Sequence, residues 1–188
     1  FLFRWAHVLF GIVWIGMLYY FNFVQGEYFK EATADAKSDA LQKLAPRALW
    51  YFRWGAMFTF ITGVVLLLGM MKTSTLNDMT LTGVILGTLM FLNVWLVIWP
   101  NQQKALNIGG KFSDLPADQK AAAAKTAMVF SRINTLLSVP MLFSMVIMSL
   151  LCVLLSLLAI PDIRDTILGP AIDILMDPVK YSTQIIGI

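Results

Sequence analysis

The chain has 188 residues, of which 59% are hydrophobic and 13% are charged, and its formal net charge is +3. Soluble domains are usually about 45–50% apolar and about 25% charged, so this composition excludes a disordered chain, a disulfide-rich secreted scaffold and an ordinary soluble enzyme. One cysteine and one histidine exclude an intrachain disulfide, an all-cysteine metal site and the ligation of one group by two histidines of this chain.

Four long apolar runs predict membrane-spanning helices. They cover about residues 2–25, 54–71, 79–100 and 130–158, and they contain few charged side chains. A hydrocarbon core of about 30 Å requires roughly 20 helical residues, and an open sheet edge cannot satisfy its hydrogen bonds in hydrocarbon. The sequence therefore predicts an all-α integral membrane protein with a four-helix bundle in residues 1–160.

Basic residues are concentrated in two of the connections between these runs. The first connection contains Lys30, Lys37, Lys43, Arg47 and Arg53, and the third contains Lys104, Lys111, Lys120 and Lys125. Because basic connections usually remain on the cytoplasmic side, we expect both connections in the cytoplasm and both termini outside a bacterial inner membrane. The positive net charge is then a feature of the topology, and no nucleic-acid partner is predicted.

The segments outside the four runs have helical features of their own. Residues 27–49 are rich in helix formers and predict a cytoplasmic helix lying on the bundle or on a partner, in which Asp39 and Lys43 form an (i, i+4) pair. Residues 113–116 have the pattern of a helix start, so we expect a helix that runs from there into the fourth span. Residues 161–188 mix apolar and acidic residues with two proline breaks, which predicts a short amphipathic arm outside the membrane.

His7 is the only imidazole of the chain and lies in the outer half of the first run. An imidazole inside a span is a candidate to ligate haem, bind a metal or relay protons, and the alternative is a histidine hydrogen-bonded to a neighbouring helix. A haem b held by two histidines of this chain is excluded. A haem at His7 would need a methionine or a residue of a partner chain as its second ligand.

Three polar residues lie within the third and fourth runs: Asn93 is near the middle of the third, more than a turn deeper than the cytoplasmic edge, and Arg132 and Asn134 begin the fourth. Polar side chains are costly in hydrocarbon and usually face the interior of a bundle. One interpretation is a pocket open to the cytoplasmic side, where Arg132 contacts a lipid or an anionic or quinone-like headgroup. The other is hydrogen bonding between helices, which is worth about 0.6 kcal/mol per bond on average.

Sulfur-containing residues recur along the fourth run at spacings of four, three and four residues. They are Met141, Met145, Met148 and Cys152, which share one face of a helix. Thioether and thiolate ligands select Cu(I), so this stripe is a candidate copper site. The chain has 11 methionines, and methionine commonly fills gaps in apolar packing, so the alternative is an ordinary packed core.

Gly83 and Gly87 form a GxxxG element in the third run. Such an element permits the close approach of two helices. It predicts a contact with another span of this chain or with a different membrane subunit.

The sequence lacks the motifs of a self-contained enzyme. It has no phosphate-binding loop, no G-x-S-x-G, no H-E-x-x-H and no C-x-x-C-H for covalent haem. The four runs also contain no acidic residue, which a proton-coupled pump normally needs. We therefore expect a chain that is not catalytic on its own.

Three ordered segments resemble the membrane domain of the bacterial membrane-bound urate oxidase (urate hydroxylase) family. The first comprises residues 4–8, 11, 14–16 and 19–21; the second comprises residues 86–90, 93–95 and 98–104; the third comprises residues 131–143. The resemblance implies a candidate binding site at the matched polar positions His7, Asn93, Gln102, Arg132 and Asn134. Members of this family have more histidines, a longer membrane region and commonly a cytochrome c module. The resemblance therefore implies a short relative that lacks this module.

These features predict a non-catalytic integral subunit of a bacterial electron-transfer or oxidase complex, which stabilises or docks partner chains. Its partners would be other integral membrane subunits, lipid and, as the resemblance implies, a periplasmic cytochrome. Two alternatives stay open: a small haem- or quinone-binding redox protein that uses His7, and a copper-handling protein that uses the stripe from Met141 to Cys152. Oxidation of urate would require an electron acceptor that these residues do not supply.

Overall fold

The computed structural model describes the backbone of residues 1–158 and the side chains of residues 1–145. Four long helices account for most of these residues. Helix α1 spans Leu2–Glu31, α2 spans Ala34–Lys72, α3 spans Asp78–Leu106 and α4 spans Ala117–Leu158, with a short 3-10 turn at Ile108–Gly110. No strand occurs among residues 1–158.

The prediction of an all-α fold with four long apolar helices is confirmed for the described residues. α1, α2 and α3 have 30, 39 and 29 residues, and α4 has 29 residues as far as Met145. Since about 20 helical residues cross a hydrocarbon core, each helix is long and apolar enough to span a membrane. Only 17–28% of the most apolar window of each helix is buried within the fold. A large apolar surface therefore remains on the outside.

The predicted helix over residues 27–49 is not a separate element lying on the bundle. α1 continues through Glu31 and α2 already begins at Ala34, twenty residues before the predicted second span. Extended backbone at Ala32 and Thr33 separates the two helices, and Thr33 caps α2. The boundaries were missed because this break contains neither glycine nor proline. The predicted ion pair within the segment, Lys43 with Asp39, is present.

The other helices also extend beyond the predicted spans. α3 continues to Leu106, and α4 begins at Ala117 rather than near residue 130. The helix start predicted at residues 113–116 is confirmed, since the carbonyl of Pro116 accepts a hydrogen bond from the Lys120 amide at 3.0 Å. Apolar composition marks what can lie in hydrocarbon, whereas helix ends are determined by capping and hydrogen bonding, so the two sets of boundaries differ.

Three of the helices contain a π-helical segment, at Tyr20–Gln25 in α1, Ala40–Leu44 in α2 and Val94–Ile98 in α3. A π turn accommodates one more residue than an α turn and is frequent at functional sites. Asn22 lies within the segment of α1, and Asn93 directly precedes the segment of α3. Both are polar residues in otherwise apolar stretches of helix.

Residues 1–144 form one compact unit. α1 and α2 approach most closely at Gly55, where an added Cβ would lie 3.2 Å from the backbone nitrogen of Trp14. α2 and α3 meet through the stacked rings of Phe60 and Phe91, whose centroids are 4.1 Å apart. Largely apolar side chains fill the core, including Trp14, Leu18, Phe52, Ala56, Met90, Val94 and Ile98.

A second compact unit comprises Met145–Ile188. Its described part is the end of α4, which continues as helix to Leu158. The predicted amphipathic arm at residues 161–188 lies outside the described residues.

Candidate functional site

His7 lies where α1 packs against α2. Its Nδ1 is 2.9 Å from the carbonyl oxygen of Thr59 and 3.1 Å from the hydroxyl of Thr62. A carbonyl oxygen only accepts hydrogen bonds, so Nδ1 carries the hydrogen and donates it. In the neutral ring this leaves Nε2 as an unprotonated nitrogen with a free lone pair.

Small residues of α2 make room for this ring. An added Cβ at Gly63 would lie 3.0 Å from Cε1 of His7, so a side chain there would displace the imidazole. The Thr62 hydroxyl donates to the carbonyl of Phe58 at 2.7 Å and lies 3.0 Å from that of Thr59. The threonine thus satisfies its own hydrogen within α2 and presents an oxygen to His7.

Nε2 of His7 is available for a ligand. It makes no hydrogen bond within residues 1–145, and it is not among the enclosed polar atoms of this part of the chain. His7 as a whole is partly exposed. Among the described residues, no three His, Cys, Asp or Glu side chains lie together as a metal site would require. A group bound at Nε2 would therefore not be held by a cluster of such side chains within the described residues.

Asn93 and Asn134 form the centre of a second group of polar side chains, where α3 meets α4. The Asn93 amide donates to Oδ1 of Asn134 at 2.7 Å and to the carbonyl of Phe130 at 3.2 Å. The Asn134 amide donates to the carbonyl of Met90 at 3.0 Å, and Asn134 is completely buried. These bonds join α3 and α4 through both side chains and backbone.

α1 completes this group from the other side. The Asn22 amide donates to the Ser131 hydroxyl at 2.8 Å and to the carbonyl of Leu18 at 2.9 Å. Because the Ser138 hydroxyl donates to the carbonyl of Thr135 at 2.7 Å, the Tyr19 hydroxyl is the donor in its 2.9 Å bond to Ser138. We call this group the polar centre; its members are Tyr19, Asn22, Asn93, Ser131, Asn134 and Ser138.

One acceptor of the polar centre has no partner. Oδ1 of Asn93 is buried without a hydrogen bond within residues 1–145, and so is Oε1 of Gln25, one turn beyond Asn22 on α1. Buried polar atoms are normally paired with protein or water. The polar centre can therefore accept a hydrogen bond from a water molecule or from a hydroxyl or N–H group of a ligand.

The structure brings together only two of the polar residues singled out in the sequence. Asn93 and Asn134 are in direct contact, whereas Arg132 is exposed and has no ion pair or hydrogen bond within residues 1–145. Gln102 is partly exposed near the end of α3. His7 shares no hydrogen-bond partner with the polar centre. The hydrogen-bonding interpretation of Asn93 and Asn134 is thus realised in the structure, and an anion contact at Arg132 stays a prediction.

The two remaining predicted sites are described only in part. Met141 is buried and Met145 is partly exposed, but the side chains of Met148 and Cys152 lie outside the described residues, so copper binding stays a prediction. Gly83 is buried, and an added Cβ at Gly87 would meet nothing within 4 Å. Close helix approaches are seen at Gly55 and Gly63 of α2, and the contact predicted at Gly83 and Gly87 stays a prediction.

Sequence reasoning missed a third group, in which Arg53 of α2 faces three indole rings. Its guanidinium carbon is 3.8 Å from the ring centroid of Trp99, 5.6 Å from that of Trp95 and 5.7 Å from that of Trp54. We call these three tryptophans the indole cage. Arg53 and Trp54 precede the second apolar run, and Trp95 and Trp99 end the third, a pairing that antiparallel spans could have suggested.

No protein-family model, curated protein or solved structure matches this chain. The resemblance of three segments to the urate oxidase membrane domain therefore stays a hypothesis. Of its matched polar positions, the structure places Asn93 and Asn134 together and leaves His7 and Arg132 apart from them.

Proposed function

We propose that this chain is an integral subunit of an electron-transfer or oxidase complex in a bacterial inner membrane, and that His7 provides one ligand to a haem shared with a partner chain. The observation that carries the proposal is the arrangement of His7, with Nδ1 held by the carbonyl of Thr59 and Nε2 free. The distribution of basic residues supports a topology with both termini outside.

The environment of His7 fits the requirements of a haem ligand. Histidines that bind metals almost always donate their other ring N–H to a carbonyl or carboxylate, which fixes the tautomer and the ring orientation. Thr59 performs this role here, and Gly63 leaves space for the ring beside α2. Haem would supply one-electron transfer, while the residues of this chain hold and orient the imidazole.

A partner chain is part of the proposal because this chain has no second histidine to offer a haem. The sequence has a single histidine, and the described residues contain no metal-binding cluster around it. The exposed apolar side chains on the outside of α1, including Val8, Leu9 and Ile12, suit contact with helices of another subunit or with lipid. A further ligand to the haem would then come from that subunit.

The proposal is tested on native membranes extracted in mild detergent. We expect the chain, of 21.1 kDa, to migrate in a native gel with larger partners, and mass spectrometry of the band to identify redox subunits. The same band should have a haem absorption spectrum. His7→Ala should abolish or shift the haem spectrum without disrupting the complex.

Asn22→Ala provides the matched control, since it removes a polar side chain of the same helix that does not contact His7. This variant should retain the haem spectrum. Migration of the wild-type chain alone would contradict its role as a subunit. A complex whose spectrum is identical in the wild type and in His7→Ala would contradict the role of His7.

A further inference from the structure

Arg53, the cation inside the indole cage, forms no ion pair within residues 1–145. The ion pairs within residues 1–145 are Lys30 with Glu27 and Lys43 with Asp39, and Arg53 takes part in neither. Beyond Asp39, α2 contains no acidic residue, and α3 contains none beyond its first residue, Asp78. The two helices that surround Arg53 therefore offer no carboxylate to its guanidinium.

Two buried N–H groups in this cluster also lack an acceptor. They are Nε of Arg53 and Nε1 of Trp95, and neither has a hydrogen-bond partner within residues 1–145. Both groups can only donate. Unpaired buried donors are costly, so the missing group is an acceptor, and the uncompensated charge of Arg53 makes an anion the best match.

The stacking of Arg53 on Trp99 determines from which direction an acceptor can approach the guanidinium. The short distance to Trp99 holds one face of the guanidinium against an indole ring, and Trp54 and Trp95 surround the group from α2 and α3. A guanidinium that is covered on its face can still donate in its own plane, where its fork of N–H groups matches two oxygens of one phosphate or carboxylate.

The aromatic residues next to the indole cage indicate which kind of molecule would supply that anion. Trp50 and Tyr51 are exposed and continue the aromatic cluster along α2 next to Trp54. Such belts of tryptophan and tyrosine are typical of the level at which lipid headgroups lie. An anion at this level is most abundant as the phosphate of a lipid, and basic pockets between spanning helices commonly bind anionic headgroups.

We propose that Arg53 and Trp95 bind the phosphate group of an anionic phospholipid, with Trp99 holding the guanidinium in place. The site is distinct from His7 and from the polar centre, because none of its residues contacts either group through a hydrogen bond. The proposal rests on insertion into a membrane and is independent of haem binding at His7.

The test is native mass spectrometry of the purified chain in detergent, titrated separately with phosphatidylglycerol and phosphatidylcholine. We expect the wild type to bind phosphatidylglycerol about tenfold more tightly than phosphatidylcholine, since both present a phosphate but the positively charged choline of the zwitterionic lipid is repelled by Arg53 and cancels the net negative charge. Arg53→Gln should remove this preference. Arg53→Lys should retain part of it, because lysine keeps the charge but loses the planar fork.

Arg47→Gln is the matched control, since it removes an equal charge from the same helix at an exposed position outside the cage. It should change the preference by less than about twofold. Equal binding of the two lipids by the wild type would overturn the proposal, whether or not the variants fold. Displacement of phosphatidylglycerol by inorganic phosphate at equal concentration would also overturn it, since the site would then select a free anion. Neither outcome depends on whether haem is bound.

Discussion

The contact between α1 and α2 and the contact of α4 with α1 and α3 hold helices together in two different ways. At the first, Gly55 and Gly63 of α2 let the helices approach so closely that α2 meets the backbone of Trp14 and the ring of His7. At the second, the side-chain amides of Asn22 and Asn93 donate hydrogen bonds across the gap to the Ser131 hydroxyl and to Oδ1 of Asn134. Small residues and polar side chains are the two devices that associate helices in lipid, where burial of apolar surface provides little driving force.

The difference concerns what each contact tolerates. The glycine contact depends on volume, because added atoms meet backbone that cannot move aside, as they would at Gly55. The polar centre depends on pairing, because removing one partner leaves another buried group without a hydrogen bond. A substitution that adds volume should therefore destabilise the glycine contact more than the polar centre. A substitution that removes a polar group should destabilise the polar centre more.

The largest effect is expected for Gly55→Leu. Its Cβ would lie 3.2 Å from the Trp14 nitrogen and 3.3 Å from Cγ1 of Val13, and the rest of the side chain has no space. We expect a loss of about 3 kcal/mol in the free energy of unfolding, measured by denaturant titration in micelles. Gly16→Leu is the control, since its Cβ meets nothing within 4 Å. Equal losses in both variants would show that the close approach of α1 and α2 does not contribute to stability.

A smaller effect is expected for Asn134→Leu in the polar centre. The variant removes the bond to Met90 and leaves the Asn93 amide with only the carbonyl of Phe130. We expect a loss of about 1–2 kcal/mol in the free energy of unfolding. A double-mutant cycle with Asn93→Leu should give a coupling of about 0.6 kcal/mol or more between the two asparagines. Strict additivity would contradict the direct bond between them.

Gly63→Ala should affect the orientation of His7 more than the stability of the fold. The added methyl group would lie 3.0 Å from Cε1, so the ring must move and its bond to the Thr59 carbonyl must weaken. The chain has one histidine, so nitrogen NMR of histidine-labelled protein reports on this ring alone. We expect the Nδ1–H tautomer in the wild type and a shifted or averaged signal in the variant. Gly69→Ala, with open space at its Cβ, should leave the signal unchanged.

The smallest effect is expected for Gly87→Ala. Nothing lies within 4 Å of an added Cβ there, so the isolated chain should gain about 0.5 kcal/mol in stability from the better helix propensity of alanine. If Gly83 and Gly87 pack against a partner subunit, the same variant should weaken association in the native gel. If association is unchanged in the variant, Gly83 and Gly87 do not form a contact between chains.

Much of this architecture could be predicted, because long apolar runs and the rare polar residues within them are strong signals in a chain whose helices are long and apolar enough to span a membrane. Asn93 and Asn134 were identified by their cost in hydrocarbon alone, and the structure pairs them. Ser131 and Ser138 carry no such signal, since a serine hydroxyl can bond within its own helix, as Ser138 does with Thr135. Which helix faces they join depends on the arrangement of all four helices, which periodicity does not determine.

The glycine contact could have been found in the sequence but was not. Gly55, Thr59 and Gly63 are spaced by four residues, which is the small-residue pattern of close helix packing. The sequence analysis recognised the GxxxG element at Gly83 and Gly87, but not the related pattern in which Thr59 lies between Gly55 and Gly63. The cage around Arg53 has no local pattern, because its rings come from two helices; antiparallel spans could suggest that these residues lie at one level, but their contact with Arg53 is known only from the fold.

The π-helical segment Val94–Ile98 has a consequence for how this chain can change by insertion and deletion. It lies between Asn93, which belongs to the polar centre, and Trp99, which covers Arg53. Because the π turn accommodates one extra residue, deletion of one residue there would leave a regular α-helix with little rotation of the residues beyond it, whereas a deletion elsewhere in α3 would rotate them by about 100°. A single lost codon in this segment should therefore preserve the positions of Asn93 and Trp99 relative to each other, whereas one lost elsewhere in α3 would not preserve those of the residues further along the helix.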